Sequence, residues 1–408
     1  MRYKWLEKIP EHWQVTRIKR KCKLIGSGTT PNTSNNLFYN GNIYWIQSGD
    51  LYNHDYINST EKLITRLALD NNSALTCYEP PFVVIAMYGA SIGNVSISNI
   101  SACVNQACCV LIPDDDVNVR YMYYWVKFCR EDFLRQSSGG TQPNISQKKI
   151  REELFILPPR SEQDSIVRYL DDRVAKVNRL IEAYEREVKL LDELKKTAIN
   201  EAVTHGLDSN APMKDSGVKW LGEIPEHWNM SKAKHHVIIT NGTNPTSEGD
   251  IPVYGSGTQP FTTCGEYKEG PAVLLGRKGS IGNVTYIEGR YWNIDTAFSV
   301  TTIGNDLAIS YYYYLATRFP FDFYMTRTAI PSMTQTDYYN MYIPVPPLSE
   351  QQAIAKYLDE KCSKIDRAIN LKQKQIKLWQ EYKTRLISDV VTGQLDIRGV
   401  NDNGNRYE

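Results

Sequence analysis

The chain has 408 residues with 47 Lys and Arg against 46 Asp and Glu, a formal net charge of +1, which excludes a strongly basic protein that coats nucleic acid and an acidic tail protein. At 41% hydrophobic and 23% charged residues it reads as globular, with a length that suits about two to three domains. The longest apolar run, residues 82–88, falls far short of the ~20 residues that span a bilayer, and the charged N-terminus lacks the apolar core of a signal peptide. A cytoplasmic protein without a membrane partner is expected.

In chain order, KWLEKIPEHW at residues 4–13 comes first and recurs as KWLGEIPEHW at 219–228. SIGNV at 91–95 recurs at 280–284, and residues 157–208 align without a gap onto 345–396, identical at about two positions in five. Two homologous halves in tandem follow. Trp5 to Ser91 is 86 positions whereas Trp220 to Ser280 is 60, so the first part of each half tolerates insertions in surface loops and the last part does not.

The variable parts, 1–157 and 209–345, carry short apolar runs bounded by Gly and Pro, at 82–86 and 272–275, that read as strands. Helices are expected near 120–134 and 310–317, which makes both domains mixed α+β. The aromatic clusters Tyr121, Tyr123, Tyr124 and Trp125, and 311–314, lie just before charged, helix-like stretches and read as packed helix faces in preference to base-stacking platforms. The 8 cysteines are scattered without CxxC pairs, which favours reduced, mostly buried thiols over a metal site.

The constant parts, 158–208 and 346–398, read as long helices. Pro158, Pro159, Pro346 and Pro347 end extended segments; Ser161 and Ser349 then stand at expected N-caps, with Gln352 completing a capping box. Leu170, Val174, Val177, Ile181, Tyr184, Val188 and Leu191 step by four and three, as do Leu358, Cys362, Ile365, Ile369, Ile376 and Trp379, with Lys372 as the one polar intrusion. That stripe is a coiled-coil seam. Residues 161–208 carry a net −3 and 349–398 a net +3, a balance that suits two helices paired with each other, antiparallel, as a rod with a variable domain at either end. Residues 399–408 read as a flexible tail.

Catalytic motifs are missing. There is no glycine fingerprint between a strand and a helix, no Walker A, no HExxH and no GxSxG. Glu79-Pro80-Pro81-Phe82 faintly resembles the Asp/Asn-Pro-Pro-aromatic tetrapeptide of amino-methylating DNA methyltransferases, but Glu is the wrong length and a plain turn is the better reading. Pro113 followed by Asp114, Asp115 and Asp116 lacks the lysine of a metal-dependent nuclease core. What remains is a set of polar loops suited to reading bases. In the first half these are Thr29, Thr30 and Asn32, then Tyr88, Ser91 and Asn94, then Gln142, Asn144 and Ser146. In the second they are Asn241, Thr243 and Asn244, then Arg277, Lys278, Ser280 and Asn283, then Arg327 and Ser332. From the position of SIGNV, Tyr88-Gly89-Ala90 stands in place of Arg277-Lys278-Gly279.

WLGEIPEHW, GSGTTP at 26–31, GRKGSIGNV at 276–284, PPxSEQ before each long helix and VVTGQLD at 390–396 resemble the specificity subunits of type I restriction-modification systems. The resemblance covers almost the whole chain. It implies that 1–157 and 209–345 are target recognition domains, each reading one half of an asymmetric bipartite site in double-stranded DNA, and that the paired helices fix the gap and dock two modification subunits. Tyr169, Leu170, Ile181, Leu191, Tyr357, Leu358, Ile369 and Trp379 are assigned to that docking surface. The resemblance further implies that AdoMet and adenine methylation belong to the modification subunits, that restriction subunits add translocation and cleavage, and that this chain binds no cofactor and is not itself an enzyme. A self-contained DNA adenine methyltransferase, or a coiled-coil adaptor without a DNA role, are the competing readings.

Overall fold

In a computed structural model the described residues are 6, 9–139, 143–326 and 328–397. The chain divides into two compact units, one made of residues 1–183 with 376–408 and the other of residues 184–375. The boundaries fall inside the two long helices, Arg160–His205 and Leu348–Val391. Each unit therefore contains one variable domain, part of its own long helix and part of the other.

In the first unit a five-stranded sheet runs Cys22–Ser27, Cys108–Pro113, Phe82–Ala86, Val95–Ser98, Tyr56–Ile57, and a four-stranded one runs Leu63–Ile64, Tyr39–Ile46, Ala102–Val104, Cys77–Tyr78. Strand Phe82–Ala86 is buried along its whole length because its alternate side chains serve two cores. Val83 and Ile85 pack with the helical layer, while Phe82, Val84 and Ala86 pack toward the second sheet. The second unit repeats this with Ala272–Gly276: Val273 and Leu275 face the helices, Ala272 and Leu274 the other side. The tyrosine clusters are core, as expected. Helix Val119–Phe128 buries Tyr121, Tyr123, Tyr124 and Trp125, and helix Ile309–Ala316 buries Tyr311, Tyr312 and Tyr314. The first of these stops at Cys129 and continues as Arg130–Gln136, where one longer helix was expected. All 8 cysteines are free thiols and six are buried.

The recurring sequence blocks hold each unit to its long helices. The imidazole of His12 and the Trp13 Nε1–H contact Glu162 at 2.7 and 2.9 Å; His227 and Trp228 hold Glu350 in the same way at 2.9 and 3.0 Å. The next residue of each SEQ block is a fully buried glutamine. Gln163 Nε2 donates to the carbonyls of Pro158 and Asp116, and Gln351 Nε2 to those of Pro346 and Asp306. The expected serine caps are corrected by this arrangement. The helices start at Arg160 and Leu348, and the Pro159 and Pro347 carbonyls accept the first turn's N–H groups, so Ser161 and Ser349 already lie inside the helix. These bonds commit the Glu and Gln of each SEQ block to the domain, and Glu162 and Glu350, in the first turn, also suit the positive end of their helices.

Within each unit the two helices run antiparallel. In the second, Lys195 Nζ donates to both oxygens of Asp366 at 2.8 and 2.7 Å, and Lys372, the polar intrusion in the seam, reaches Glu187 at 2.7 Å with its ammonium 4.4 Å from the Tyr184 ring centre. In the first, Lys383 donates to Asn178 at 2.9 Å, and Leu170 and Val174 pack with Leu386, Ile387 and Val390.

The basic run near the N-terminus is largely paired inside the chain. Arg17 and Lys19 reach Glu152 at 3.4 and 2.6 Å, Lys21 reaches Asp116 at 2.6 Å, and Lys23 pairs with Asp115. Two of the three aspartates after Pro113, Asp115 and Asp116, are thus taken up in surface ion pairs. No helix among the described residues is long and apolar enough to cross a membrane.

Candidate nucleic-acid interface

Each unit presents the same pair of interlocked loops. After Phe82–Ala86 the chain passes through Met87 and Tyr88 into a short turn, Gly89–Ser91, and returns as Val95–Ser98. Gly89 N–H donates to the Pro143 carbonyl at 2.8 Å, Ile145 N–H to that of Met87 at 2.9 Å, and Tyr88 bridges to Asn144. In the second unit Gly279 N–H donates to Pro331 at 2.9 Å, Met333 N–H to Arg277 at 3.0 Å, and Lys278 bridges to Ser332. Both glycines have positive φ, 62° and 82°, a conformation that a side chain disfavours.

This geometry corrects the register expected from the sequence. Ile85 pairs with Val95 and Leu275 with Val284, so the first tip, 86–94, has one residue more than the second, 276–283. Gly89 therefore matches Gly279, Met87 and Tyr88 match Arg277 and Lys278, and Ala90 is part of the longer turn. Anchoring the comparison on SIGNV placed the extra residue on the wrong side.

A further loop lies beside each tip. A Cβ on Gly28 would sit 1.7 Å from the Val104 carbonyl oxygen, and one on Gly242 would sit 2.2 Å from that of Asn293. Only glycine permits this approach, which presses Thr29, Thr30 and Asn32 in one unit, and Thr243 and Asn244 in the other, against the strand ends. Thr30 donates to Gln106, and the Thr29 and Thr243 carbonyls accept from the indoles of Trp45 and Trp292. Asn241 offers its carbonyl to Lys268 at 3.2 Å, and burial lowers the pKa of that lysine. Glu266 accepts from Thr246 Oγ1 and from the Thr246 and Ser247 amides at 2.6 to 3.0 Å, and these hydrogen bonds, Thr246's first, hold its carboxyl down at about 2.

The expected residues differ in what they leave free. Tyr88, Asn144, Thr243, Asn244 and Lys278 are exposed. Asn32, also exposed, accepts from the Ser34 amide at 3.0 Å. Ser91 donates to the Tyr88 carbonyl at 2.7 Å, Asn94 is bonded through its backbone, and Asn283 donates to the Ser256 carbonyl at 3.0 Å. Ser146 caps helix Gln147–Glu152, the Ser280 amide reaches Ser256, and the Ser332 amide reaches Thr326. Gln142 and Arg327 lie outside the described residues.

Two residues absent from the sequence reading join the tips. Met87 N–H donates to the Ala107 carbonyl and Arg277 N–H to that of Thr296, both at 2.8 Å, so Gln106 and Asp295 hold matching places under the tips. Lys278 Nζ lies 3.5 Å from the Asp295 carboxylate, and Arg277 packs over the Phe298 ring while donating to the Asp295 carbonyl at 3.3 Å. Nothing in local composition marks Gln106 or Asp295; only the strand pairing brings them to the tips. Phe261, 62% exposed near Thr296 and Gly255, was likewise missed.

Glu79-Pro80-Pro81-Phe82 is a turn. Glu79 accepts from Ser101 at 2.9 Å and the Phe82 ring is fully buried, so no ring is available to stack on a base. Among the described residues no group of three or more His, Cys, Asp or Glu is placed to hold a metal ion. On the long helices Leu170, Ile181 and Leu358 are buried within their own units, Tyr169, Leu191, Ile369 and Trp379 are half-buried, and Tyr357 is exposed. Leu190, Leu194, Leu371, Leu378 and Tyr382 are the apolar side chains that these helices expose most.

Two homologous α+β units with matching loop pairs but different side chains at the tips, each with its own stretch of the two long helices, define a recognition subunit. The chain belongs to the type I restriction modification DNA specificity domain family, whose model matches residues 10–190 and 213–378. It is 27% identical to the type I restriction enzyme MjaIX specificity subunit of Methanocaldococcus jannaschii over 96% of this chain and 95% of that one. It is 25% identical to the MjaVIII specificity subunit of the same organism over 97% and 95%. Among solved structures, a chain from a study of complex assembly and conformational transition of the type I R-M system matches with a TM-score of 0.74 at 16% identity, covering 95% of this chain and 99% of that one. The HsdS subunit from Thermoanaerobacter tengcongensis matches with a TM-score of 0.50 at 16% identity over 95% and 98%. At that identity the structural matches speak for the fold.

Proposed function

We propose that this chain is the non-catalytic specificity subunit of a type I restriction-modification complex, and that it reads an asymmetric bipartite target in double-stranded DNA. Residues of the two loop pairs meet bases or phosphates, one unit on each half-site, with the half-sites about one helical turn apart on one DNA face. The paired helices set the gap and offer their exposed apolar side chains to two modification subunits, which carry AdoMet and methylate adenine; restriction subunits complete the complex in the cytoplasm. The observation that carries this reading is the matched loop geometry with unmatched chemistry: Met87, Tyr88, Gln106 and Asn144 in one unit, Arg277, Lys278, Asp295 and Ser332 in the other. Identical scaffolds with different tips suit two different half-sites.

The test is adenine-methylation mapping of DNA from cells that express this chain with its modification subunit. A bipartite motif is expected, and exchanging residues 1–157 for another such domain changes only one half of it. A change in both halves overturns the assignment. Methyl transfer from labelled AdoMet by the purified chain alone would overturn the non-catalytic reading. Because the basic run near the N-terminus is paired internally, few phosphates are neutralised by the chain itself, and the salt slope of DNA binding should steepen when modification subunits are added.

A further inference from the structure

Two of the 8 thiols meet beneath a recognition loop of the first unit. Strands Cys77–Tyr78 and Ala102–Val104 run antiparallel with Cys77 directly opposite Cys103, and the two sulfurs lie 2.8 Å apart. Opposed residues of an antiparallel pair hold their Cα atoms about 4.5–5.5 Å apart, inside the roughly 4.4–6.8 Å that a disulfide spans, so the existing register already brings the bond within reach. Cys77 is half-buried and Cys103 fully buried, which gives one sulfur a route to solvent and holds the other in place to meet it. The hydrogen bond from Cys103 brings the Cys77 thiol below its ordinary range, against burial and Glu79. Cys22, the other half-buried thiol, is pushed up to about 12, chiefly by burial.

The residue after each cysteine holds the loop that carries Thr29, Thr30 and Asn32. Tyr78 Oη donates to the Ser27 carbonyl at 2.8 Å, and the Val104 carbonyl is the group that a Cβ on Gly28 would strike. Trp45, the partner of Cys103 on its other side, donates from Nε1 to the Thr29 carbonyl at 3.3 Å. A Cβ on Gly26 would run into the Tyr78 hydroxyl, so the packing has no slack and a small shift of either strand is passed on to the loop. The second unit has no such pair. There Lys268 Nζ takes the part of Tyr78 Oη, reaching the Asn241 carbonyl, and the Asn293 carbonyl takes that of Val104 against Gly242. The positions of Cys77 and Cys103 are therefore those of Tyr267 and Trp292.

We infer that Cys77 and Cys103 form a reversible disulfide in response to a peroxide, and that its closure alters base reading by the first unit alone. The Cys77 thiolate, its proton given up to water, attacks one oxygen of hydrogen peroxide. The O–O bond breaks and leaves a sulfenic acid on Cys77 and a hydroxide, which takes up the released proton. The Cys103 sulfur then attacks Cys77 Sγ; the S–S bond forms as the S–O bond breaks, and the departing hydroxide leaves as water with the Cys103 proton. Two thiols lose two electrons and one peroxide becomes two waters. A dithiol returns both thiols by exchange. The modification site stands on the thiol geometry, and its effect on DNA rests on the function proposed above.

The test has two arms on the full chain. In the first, the chain is treated with hydrogen peroxide, its remaining thiols are blocked, and an unreduced digest is read by mass spectrometry. A cross-link between Cys77 and Cys103 is expected before any other cysteine is oxidised, opened by dithiothreitol and absent in Cys77→Ser. Oxidation of Cys77 to a sulfinic acid without the cross-link, or another pair linking first, overturns the site. In the second arm, the complex with its modification subunit is titrated with the mapped DNA target, reduced and cross-linked. Closure should weaken binding about tenfold, the scale of one lost base contact, with discrimination lost in the half-site of the first unit and kept in the other; peroxide should leave binding by Cys77→Ser unchanged. Equal binding by the reduced and the cross-linked complex overturns the link to recognition. A reduced complex without sequence preference refutes the proposed function instead, and the first arm still decides the thiol site.

Discussion

Replacing Arg120, on helix Val119–Phe128, with serine cuts its ties to Asp55 and to Asp171 of the first long helix, and the consequence follows from the contacts. The side chain makes two charge-assisted hydrogen bonds, 2.9 Å to Asp171 and 3.0 Å to Asp55, and lies within 5.0 Å of three tyrosine ring centres. Hydrogen bonds to charged groups contribute about 1.5–3 kcal/mol each when buried. Asp55 and Asp171 are 35% and 39% exposed, so water takes over part of each bond and about 1 kcal/mol apiece is the appropriate scale. The rings add roughly 1 kcal/mol together, and the total of about 3 kcal/mol sits at the low end for breaking a buried ion pair. For a unit of this size that corresponds to a fall in Tm of roughly 6–12 °C. Differential scanning calorimetry of the full chain reads it, with the loss confined to the transition of the first unit. A fall under about 3 °C would refute the view that Arg120 organises this junction, because water would then be replacing it at no loss.

The same cluster has a pH signature. Burial opposes the charge on Asp55, but Lys127, the Tyr123 hydroxyl and Arg120 outweigh it and bring its pKa down to about 2; the folded state then binds this proton less readily than the unfolded one, so the stabilisation is present above about pH 4 and fades as pH falls toward 2. Asp55→Asn should flatten that part of the acid-unfolding profile, and an unchanged profile counts against the assignment. Lys195→Glu should destabilise the second unit by about 1 kcal/mol, and Asp366→Lys in the same chain should recover most of it; a double variant no better than the sum of the singles would argue against the antiparallel register. The hydrogen bond from Cys103 lowers Cys77, across the strand pair at 2.8 Å, to about 7. Cys77 should therefore be the first thiol alkylated by iodoacetamide near neutral pH, and Cys103→Ser should slow that reaction at pH 7; labelling led by another cysteine goes against it. Lys278→Ala should weaken DNA binding by about 1–3 kcal/mol if the ammonium meets a base, with the altered specificity confined to one half-site; equal loss on every sequence would make it a phosphate contact.

The repeat and the periodicity made the frame legible, because a 4-3 apolar stripe and a gapless copy can each be read without any tertiary knowledge. The seam residues Leu170, Val174, Leu358 and Cys362 are buried as their spacing required. The helix starts were misread because Ser-x-x-Gln has the form of a capping box, while Glu162 and Gln163 are in fact drawn to Trp13 and to the Pro158 carbonyl. Such long-range partners leave no local trace. The tips were legible as polar hairpins, yet Gln106 and Asp295 stay invisible until strand pairing sets them beneath Met87 and Arg277.

The one-residue shift at the first tip changes what the two units offer a duplex. With Gly89 matched to Gly279, the paired positions are Met87 with Arg277, Tyr88 with Lys278, Gln106 with Asp295 and Asn144 with Ser332. The first set is neutral; Met87 is buried in the core, and the exposed Tyr88 can stack while Gln106 and Asn144 can pair with adenine. The second is charged, and its lysine already leans 3.5 Å from Asp295. That pair is about half exposed on both sides, so separating it costs less than about 1 kcal/mol, and Lys278 can turn to a guanine edge or a phosphate while Asp295 is freed to accept from cytosine. The half-site read by the second unit is therefore expected to respond more steeply to salt than the one read by the first. A difference in salt slope between DNAs mutated in one half-site and in the other is the signature of that asymmetry, and equal slopes would return the two tips to equivalence.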